Sequence, residues 1–110
     1  MSDSQFFFIC NVADLVEGKG KRFIINDCDV AVFRLNEEIS VLSNICPHQK
    51  AAIIYDGIIE ENKIICPAHS WEFNIKTGCY QDGRHGLDSF EVKVQDGKVF
   101  AKIFRKEINW

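Results

Sequence analysis

Turn-forming residues recur along this chain at intervals of about 8–12 residues, and this spacing constrains the fold more than any other feature. Short apolar stretches of strand length lie between the turns. No segment has a helical period beyond a possible turn at residues 13–17. The pattern therefore predicts an all-β fold, an antiparallel sandwich or barrel. Its first strands are predicted at Phe6–Val12, Arg22–Ile25, Val30–Leu35 and Ile39–Ser43.

The turns themselves have recognisable chemistry. Asn26-Asp27 and residues 36–38 are residues that tolerate tight turns. Near the C-terminus, apolar and polar residues alternate over residues 90–95, Asp96-Gly97 follows, and Lys98–Phe104 returns. Alternation on both sides of an Asp-Gly pair indicates a β-hairpin.

Size and composition limit the classes of function. A chain of 110 residues suits one domain, residues 1–110, and 46% apolar residues are enough for a core. The net charge of −3 argues against nucleic-acid binding, which usually needs a basic stripe. No apolar stretch approaches the ~20 residues of a membrane span, and no export signal is visible. We expect a cytoplasmic monomer without membrane attachment.

Two Cys/His pairs are the chemically informative motifs. Cys46-Pro47-His48 is followed, after 17 residues, by Cys66-Pro67-Ala68-His69. Each segment supplies one thiolate and one imidazole beside a proline. Five cysteines in a chain without an export signal are better explained by metal-bound thiolates than by disulfides.

A hairpin separates the two pairs. Short strands are predicted at Gly57–Ile59 and Lys63–Ile65, with a turn at residues 60–62. Such a hairpin brings its flanking segments together. The region of residues 45–78 is therefore predicted to be a small metal-binding lobe on a β scaffold.

The order of the ligands bears on the metal. A C₂H₂ zinc finger groups two Cys and then two His, with the His pair on a helix. Here Cys and His are interleaved and no helix is predicted. Interleaving suits a two-iron cluster, because each loop can place its Cys on one iron and its His on the other. A zinc-stabilised interaction module remains the alternative at this point.

The segments C-P-H-Q-K-A and C-P-A-H-S-W-E-F-N-I-K-T-G resemble the two cluster-binding boxes of the Rieske family. The flanking strands and the closing D-S-F-E-V-K-V-Q-D-G-K-V-F also fit that family. The resemblance implies a Rieske-type β-sandwich or barrel holding one [2Fe–2S] cluster. It also implies that Cys46 and Cys66 bind one iron, and His48 and His69 the other.

Departures from the family pattern narrow the subgroup. Rieske proteins of the respiratory and photosynthetic cytochrome complexes carry a disulfide between the boxes, where this chain has Ala51 and Ala68. They also carry a Ser and a Tyr that donate hydrogen bonds to sulfur, where this chain has Trp71 and Phe73. Fewer donors stabilise the reduced cluster less, so we expect a reduction potential of roughly −150 mV, the low end of the Rieske range.

The remaining resemblance concerns partners. The chain resembles soluble Rieske ferredoxins of aromatic-ring dioxygenases and toluene monooxygenases, which implies one-electron transfer from a flavin-containing, NAD(P)H-linked reductase to a terminal oxygenase. It is also similar to the small subunit of NAD(P)H nitrite reductase, whose partner is the large subunit. Either role is that of an electron-transfer component with no catalytic site of its own.

Other polar and sulfur-containing residues receive simpler interpretations. His85 is expected to be a solvated histidine in the third loop of the fold. Backbone N–H groups around the histidines are expected to bond the cluster sulfides. These belong to Gln49, Lys50, Ala51, Ala68 and Ser70. The cysteines without ligand spacing are expected to be small buried hydrophobes. They are Cys10, Cys28 and Cys79.

Overall fold

The structure is a computed structural model, and it describes residues 6–36, 38–45, 51–67, 72–80, 83 and 86–103. These ranges contain strands and two short 3-10 turns, Val12–Asp14 and Ile54–Asp56. No helix within them has the length and hydropathy that a membrane crossing requires. The strands are β1 Phe7–Asn11, β2 Lys19–Ile25, β3 Cys28–Leu35, β4 Glu38–Ser43, β5 Ile58–Glu60, β6 Lys63–Ile65, β7 Glu72–Asn74, β8 Ser89–Phe90, β9 Val92–Gln95 and β10 Lys98–Ala101.

The strands form three antiparallel sheets. Their orders are β1-β10-β9, β2-β3-β4-β8 and β5-β6-β7. Most neighbours are consecutive in sequence, which is the arrangement that short hairpin turns produce. The predicted all-β antiparallel fold is confirmed.

Two tight turns set the register of their hairpins. Asn26 and Asp27 have φ of 53° and 64°, and Asp96 and Gly97 have φ of 55° and 74°. Two consecutive residues with positive φ are typical of the turn whose twist matches that of the flanking strands. Both predicted turns are therefore confirmed, and Ile25 pairs with Cys28 at the first one.

The sheet that contains β3 is the middle layer of the molecule. Val30 and Val32 of β3 pack into one group of buried side chains, and Ala31 and Phe33 pack into another. All of them are fully buried, so β3 is covered on both faces. This explains its uninterrupted apolar run, which an alternating half-exposed strand would not have.

The two groups of buried side chains lie on opposite sides of β3. We call the first the distal cluster: Ile9, Cys10, Leu15, Val30, Val32, Val41, Phe90, Val99, Ala101 and Ile103. We call the second the lobe cluster: Ala31, Phe33, Leu42, Ile54, Ile64, Cys66, Phe73, Ile75 and Leu87. The small sheet β5-β6-β7 thus packs on the middle sheet through the lobe cluster.

The structure corrects the predicted strand at residues 90–95. The alternation there suggests one continuous strand, but Phe90 belongs to β8 and pairs with Val41 of β4. Val92 begins β9 and pairs with Ala101 of β10. The chain therefore changes sheet at Glu91, whose carbonyl oxygen accepts a hydrogen bond from the Lys102 N–H. Alternating apolar and polar residues indicate which face of a sheet each side chain occupies, but they do not indicate which strand is the pairing partner.

Other boundaries differ by small amounts. The predicted strands at 22–25 and 30–35 extend to Lys19–Ile25 and Cys28–Leu35, because their pairing runs from Lys19–Arg34 at the open end to Ile25–Cys28 at the turn. β5 begins one residue later than predicted, β10 ends at Ala101, and β7 was not predicted. The possible helical turn at residues 13–17 is instead a 3-10 turn at Val12–Asp14.

Candidate metal centre

The first predicted ligand loop is closed by the backbone. Ile45 and Ala52 form an isolated antiparallel bridge, so the ends of the segment 46–51 lie side by side. The Ile53 N–H then bonds the Ala51 carbonyl at 2.9 Å, and the 3-10 turn Ile54–Asp56 follows. Cys46 and His48 lie outside the described residues. The structure therefore defines where their loop begins and ends.

The second predicted ligand loop is closed in the same way. Ile65, the last residue of β6, pairs with Glu72, the first residue of β7, so the segment 66–71 joins two paired strands. Cys66 follows β6 directly and is 1% exposed. His69 lies outside the described residues, as does Trp71. Of the proposed ligands, Cys66 is the one within the described ranges.

A third loop, which ends at Asp88, is attached to β4 and to the turn after β7. The Asp88 N–H bonds the Ser43 hydroxyl at 3.1 Å, and the Ser43 N–H bonds the Asp88 carbonyl at 2.9 Å, which ties the end of this loop to β4. The Leu87 N–H bonds the Gly78 carbonyl at 2.7 Å, which ties it to the turn after β7. His85 belongs to this loop but lies outside the described residues.

Glycine permits the close approach of the third loop to β7. A Cβ at Gly86 would lie 2.8 Å from both the Phe73 ring and the Gly78 carbonyl oxygen. No real Cβ is found so close to another heavy atom, so a side chain at residue 86 would displace the loop from β7. Gly86 is therefore required by packing.

The flanks of all three loops meet in the lobe cluster. Ile54 follows the first loop, Cys66 and Phe73 bracket the second, and Leu87 ends the third; all four are buried in this cluster. The described ends of the three loops therefore share one apolar base. This arrangement is what a cluster shared by two loops requires.

Phe73 forms part of that base. Its side chain is fully buried, and its ring lies 5.1 Å from the ring of Tyr80, centroid to centroid. Phe73 and Tyr80 also form a backbone bridge. A buried phenyl ring donates no hydrogen bond. The expectation that this position contributes no donor to a cluster sulfur thus agrees with the chemistry and burial of Phe73.

Asn44 is a feature of the site that the sequence interpretation missed. It immediately precedes the first loop and is the buried polar residue of the described core, with 0% exposure. Its side chain donates to Asp29 Oδ1 at 2.9 Å and accepts from the Tyr55 N–H at 2.7 Å. The available signal was an amide residue ending an apolar strand, which indicates a side chain that bonds nearby backbone.

Asp29 is in turn held by Arg22. The guanidinium contacts both carboxylate oxygens, with Nη2 at 2.6 Å from Oδ2 and Nε at 3.0 Å from Oδ1. Burial raises the pKa of Asp29, but the hydrogen bonds from Arg22 and Asn44 and the positive charge of Arg22 outweigh it. The net effect lowers the pKa of Asp29 below its ordinary value.

The residues present fit an iron–sulfur cluster. A thiolate in apolar surroundings is costly unless a metal compensates its charge. Cys66 is buried among apolar side chains at the start of the second loop, so its thiolate would need such a metal. Cys and His are the ligand types of Rieske clusters. Ala51 is half-buried at the end of the first loop. The other predicted rim residues, Gln49, Lys50, Ala68 and Ser70, lie outside the described residues.

The three remaining cysteines differ in burial. Cys10 is 4% exposed within the distal cluster, and burial raises the pKa of its thiol. The prediction of a small buried hydrophobe is correct for Cys10. Cys28 and Cys79 are only half-buried, since Cys28 borders a turn and Cys79 follows one. Their prediction as buried residues is corrected accordingly.

Comparison with known proteins identifies the family. The model of the Rieske-like [2Fe-2S] domain matches residues 5–102. The ferredoxin component of the alkene monooxygenase system of Xanthobacter autotrophicus (strain ATCC BAA-1158 / Py2) is 29% identical over 98 residues, covering 88% of this chain and 80% of that protein. The nitrite reductase (NADH) small subunit of Escherichia coli (strain K12) is 27% identical over 103 residues, covering 87% of this chain and 95% of that protein.

Apoptosis-inducing factor 3 of Homo sapiens is similar in one region. It is 29% identical over 102 residues, which cover 91% of this chain but 17% of that protein. The chain therefore spans about a sixth of this longer relative.

Solved structures have the same fold. A chain in the complex of reduced oxygenase and oxidized ferredoxin in carbazole 1,9a-dioxygenase aligns with a TM-score of 0.75 and 26% identity, covering 86% of this chain and 99% of that one. The nitrite reductase [NAD(P)H] small subunit from Erwinia carotovora aligns with a TM-score of 0.79 and 24% identity, covering 100% of this chain and 88% of that one. The family match over residues 5–102 shows that the chain belongs to the Rieske-like [2Fe-2S] domain family, whose cofactor is a [2Fe–2S] cluster.

Proposed function

We propose that Cys46, His48, Cys66 and His69 bind the cluster, with one thiolate and one imidazole from each loop. The burial of Cys66 at the start of the second loop is the observation that carries this assignment. The closure of both loops by backbone pairing, at Ile45–Ala52 and Ile65–Glu72, supports it. A [2Fe–2S] cluster with two imidazole ligands supplies reversible one-electron chemistry.

Electron paramagnetic resonance of the dithionite-reduced protein tests the ligand assignment. We expect a Rieske-type signal from the wild-type chain and from Cys79→Ser, which changes a half-buried cysteine outside both loops. Cys66→Ser and His69→Ala are expected to lose the signal. A colourless protein that contains zinc, or an unchanged signal in Cys66→Ser, would contradict the assignment.

We infer that the chain carries single electrons between protein partners. The relatives' names support this role, since they include the ferredoxin component of a monooxygenase system and the ferredoxin component of a dioxygenase system. The partners proposed for this chain are a flavin-containing, NAD(P)H-linked reductase as donor and a terminal oxygenase as acceptor.

Stopped-flow mixing tests the direction of transfer. The reduced chain is mixed with the oxidised oxygenase encoded nearest to its gene, and cluster reoxidation is followed by visible absorbance. We expect reoxidation that accelerates with oxygenase concentration. Reoxidation at the rate set by dissolved oxygen alone would contradict an oxygenase as the acceptor.

The proposed carrier has a low reduction potential, roughly −150 mV. Phe73 supports this value, because its buried ring offers no donor to the cluster. A redox titration monitored by circular dichroism measures the potential. A midpoint above about +100 mV would refute the interpretation of Trp71 and Phe73, since that value lies well inside the upper Rieske range.

A second candidate is the small subunit of a nitrite reductase. The relative from Escherichia coli (strain K12), 95% of whose length the match covers, favours it. In this role the chain is a permanent component of a larger enzyme. Stable co-purification with a nitrite reductase large subunit would support the second candidate, and elution apart from it would favour the carrier.

The proposed organisation is one Rieske domain over residues 1–110, with the cluster-binding lobe at about residues 45–78. The lobe and distal clusters share the middle sheet, which supports one cooperative unit. We expect a monomer by analytical ultracentrifugation and a single unfolding transition by calorimetry. Separate transitions for the lobe would contradict this organisation.

A further inference from the structure

Asn44 connects three separate parts of the chain around the first loop. Its Nδ2 donates to Asp29 Oδ1 at 2.9 Å, and its own N–H donates to the Asp29 carbonyl at 2.9 Å. Its Oδ1 accepts from the Tyr55 N–H at 2.7 Å, and its carbonyl accepts from the Ile54 N–H at 3.2 Å. One fully buried residue thus bonds β3 on one side and the segment after the loop on the other.

The acceptor for the Asn44 amide is itself fixed. Arg22 contacts Asp29 through Nε and Nη2, which bind both carboxylate oxygens in a fork. A bidentate pair of this kind sets the orientation of the carboxylate. Asp29 therefore presents Oδ1 to Asn44 in one geometry, and Asn44 presents its own Oδ1 to Tyr55 in one geometry.

We propose that Asn44 is a positioning residue for the first cluster-binding loop, residues 46–51, and that it raises the affinity of the chain for its cluster. The inference rests on the proposed ligand roles of Cys46 and His48. Asn44 is adjacent to Ile45, which precedes the loop, and bonds Ile54 and Tyr55, which lie just beyond Ala52 on its other side. Holding both ends reduces the conformational freedom that the loop loses when its ligands bind the irons.

The choice of residue supports this interpretation. A buried polar side chain is costly unless each of its groups is hydrogen-bonded, and an apolar residue at the end of β4 would avoid that cost. The amide uses a donor and an acceptor in opposite directions, which Leu or Val cannot do. Residues that orient ligands from outside the metal shell commonly change metal affinity 10–100-fold when substituted.

The test compares cluster retention in Asn44→Ala and Val99→Ala. Val99 is fully buried in the distal cluster, so Val99→Ala lowers stability without touching the loop. Each variant is mixed with excess iron chelator below its unfolding temperature, and the visible absorbance is followed. We expect Asn44→Ala to lose its cluster about 10–100-fold faster than wild type. Val99→Ala is expected to stay within about twofold of wild type, because distant sites act independently.

An exchanged pair provides a second test if Asn44→Ala does not fold. Asn44→Asp keeps the acceptor for the Tyr55 N–H but places a carboxylate against Asp29. Adding Asp29→Asn restores the hydrogen bond with its direction reversed, because the new amide at residue 29 donates to the new carboxylate at residue 44. We expect the double variant to retain its cluster longer than Asn44→Asp alone and to recover the wild-type shape of the resonance signal.

The outcomes separate this inference from the proposed function. Absence of a Rieske signal in the wild-type chain would overturn the ligand assignment and the inference with it. A normal wild-type signal, combined with equal cluster loss in Asn44→Ala and Val99→Ala, would overturn the positioning role alone. Equal cluster loss in Asn44→Asp and in the exchanged double variant would also overturn it.

Discussion

Replacing Gly20 with alanine tests how closely the middle sheet and the 3-10 turn Ile54–Asp56 are packed. A Cβ at Gly20 would lie 2.4 Å from the Phe33 ring and 2.5 Å from the Tyr55 carbonyl oxygen. The ring has no room to move because Phe33 is fully buried, and the second contact is with backbone. Overpacking of this kind costs about 1–3 kcal/mol of unfolding free energy. At this chain length, that loss corresponds to a fall in Tm of roughly 4–20 °C.

A nearby glycine provides the control. Gly18 has φ of +80° and no atom within 4 Å of a built Cβ, so its constraint is conformational and not steric. Asparagine tolerates positive φ better than other L residues, so we expect Gly18→Asn to cost less than about 1 kcal/mol. Thermal unfolding by circular dichroism measures both variants. A Tm for Gly20→Ala equal to that of Gly18→Asn would refute the steric argument.

Two further predictions concern the core and the ion pair. Leu87→Ala, at a residue 1% exposed in the lobe cluster, should lower the unfolding free energy by about 2–5 kcal/mol in guanidinium titrations. Val94→Ala, at a residue 49% exposed, should change it by less than about 0.5 kcal/mol; equal losses would contradict the assigned burial. Because the folded-state pKa of Asp29 is lowered, its carboxylate stabilises the fold above the unfolded-state value near 3.9, and this contribution disappears as the pH falls through the folded-state pKa. Asp29→Asn should therefore be less stable than wild type at neutral pH, with the difference shrinking in acid; a constant difference from pH 7 to pH 2 would refute the Arg22–Asp29–Asn44 coupling.

Local patterns anticipated much of the fold because they depend on neighbours in sequence. The turns at Asn26-Asp27 and Asp96-Gly97 require residues that accept positive φ, and these residue types are visible directly. The strand Lys63–Ile65 has the bounds expected from its apolar composition. The strand pairing at Phe90 was not predictable in this way, since alternation does not reveal which sheet a residue joins.

The site shows the same division. The family and its cluster follow from two short motifs and the residues around them, because ligand chemistry is carried by residue type and spacing. The contribution of Asn44 was not visible, since its partners Asp29 and Tyr55 are distant in sequence and meet only when β3, β4 and the 3-10 turn pack together. Cys66 is likewise buried in a cluster that includes Leu42 and Leu87, which are distant from it in sequence.

The sequence by itself determined the β architecture, the hairpin turns and the ligand chemistry, because each depends on local backbone preference or on side-chain type. Only the tertiary structure decided that β3 is buried on both faces, that three loops share one apolar base and that Asn44 joins the two ends of the first loop. These features arise from contacts between residues far apart in the chain. Their energy depends on burial and on hydrogen-bond geometry, and neither exists before the sheets pack.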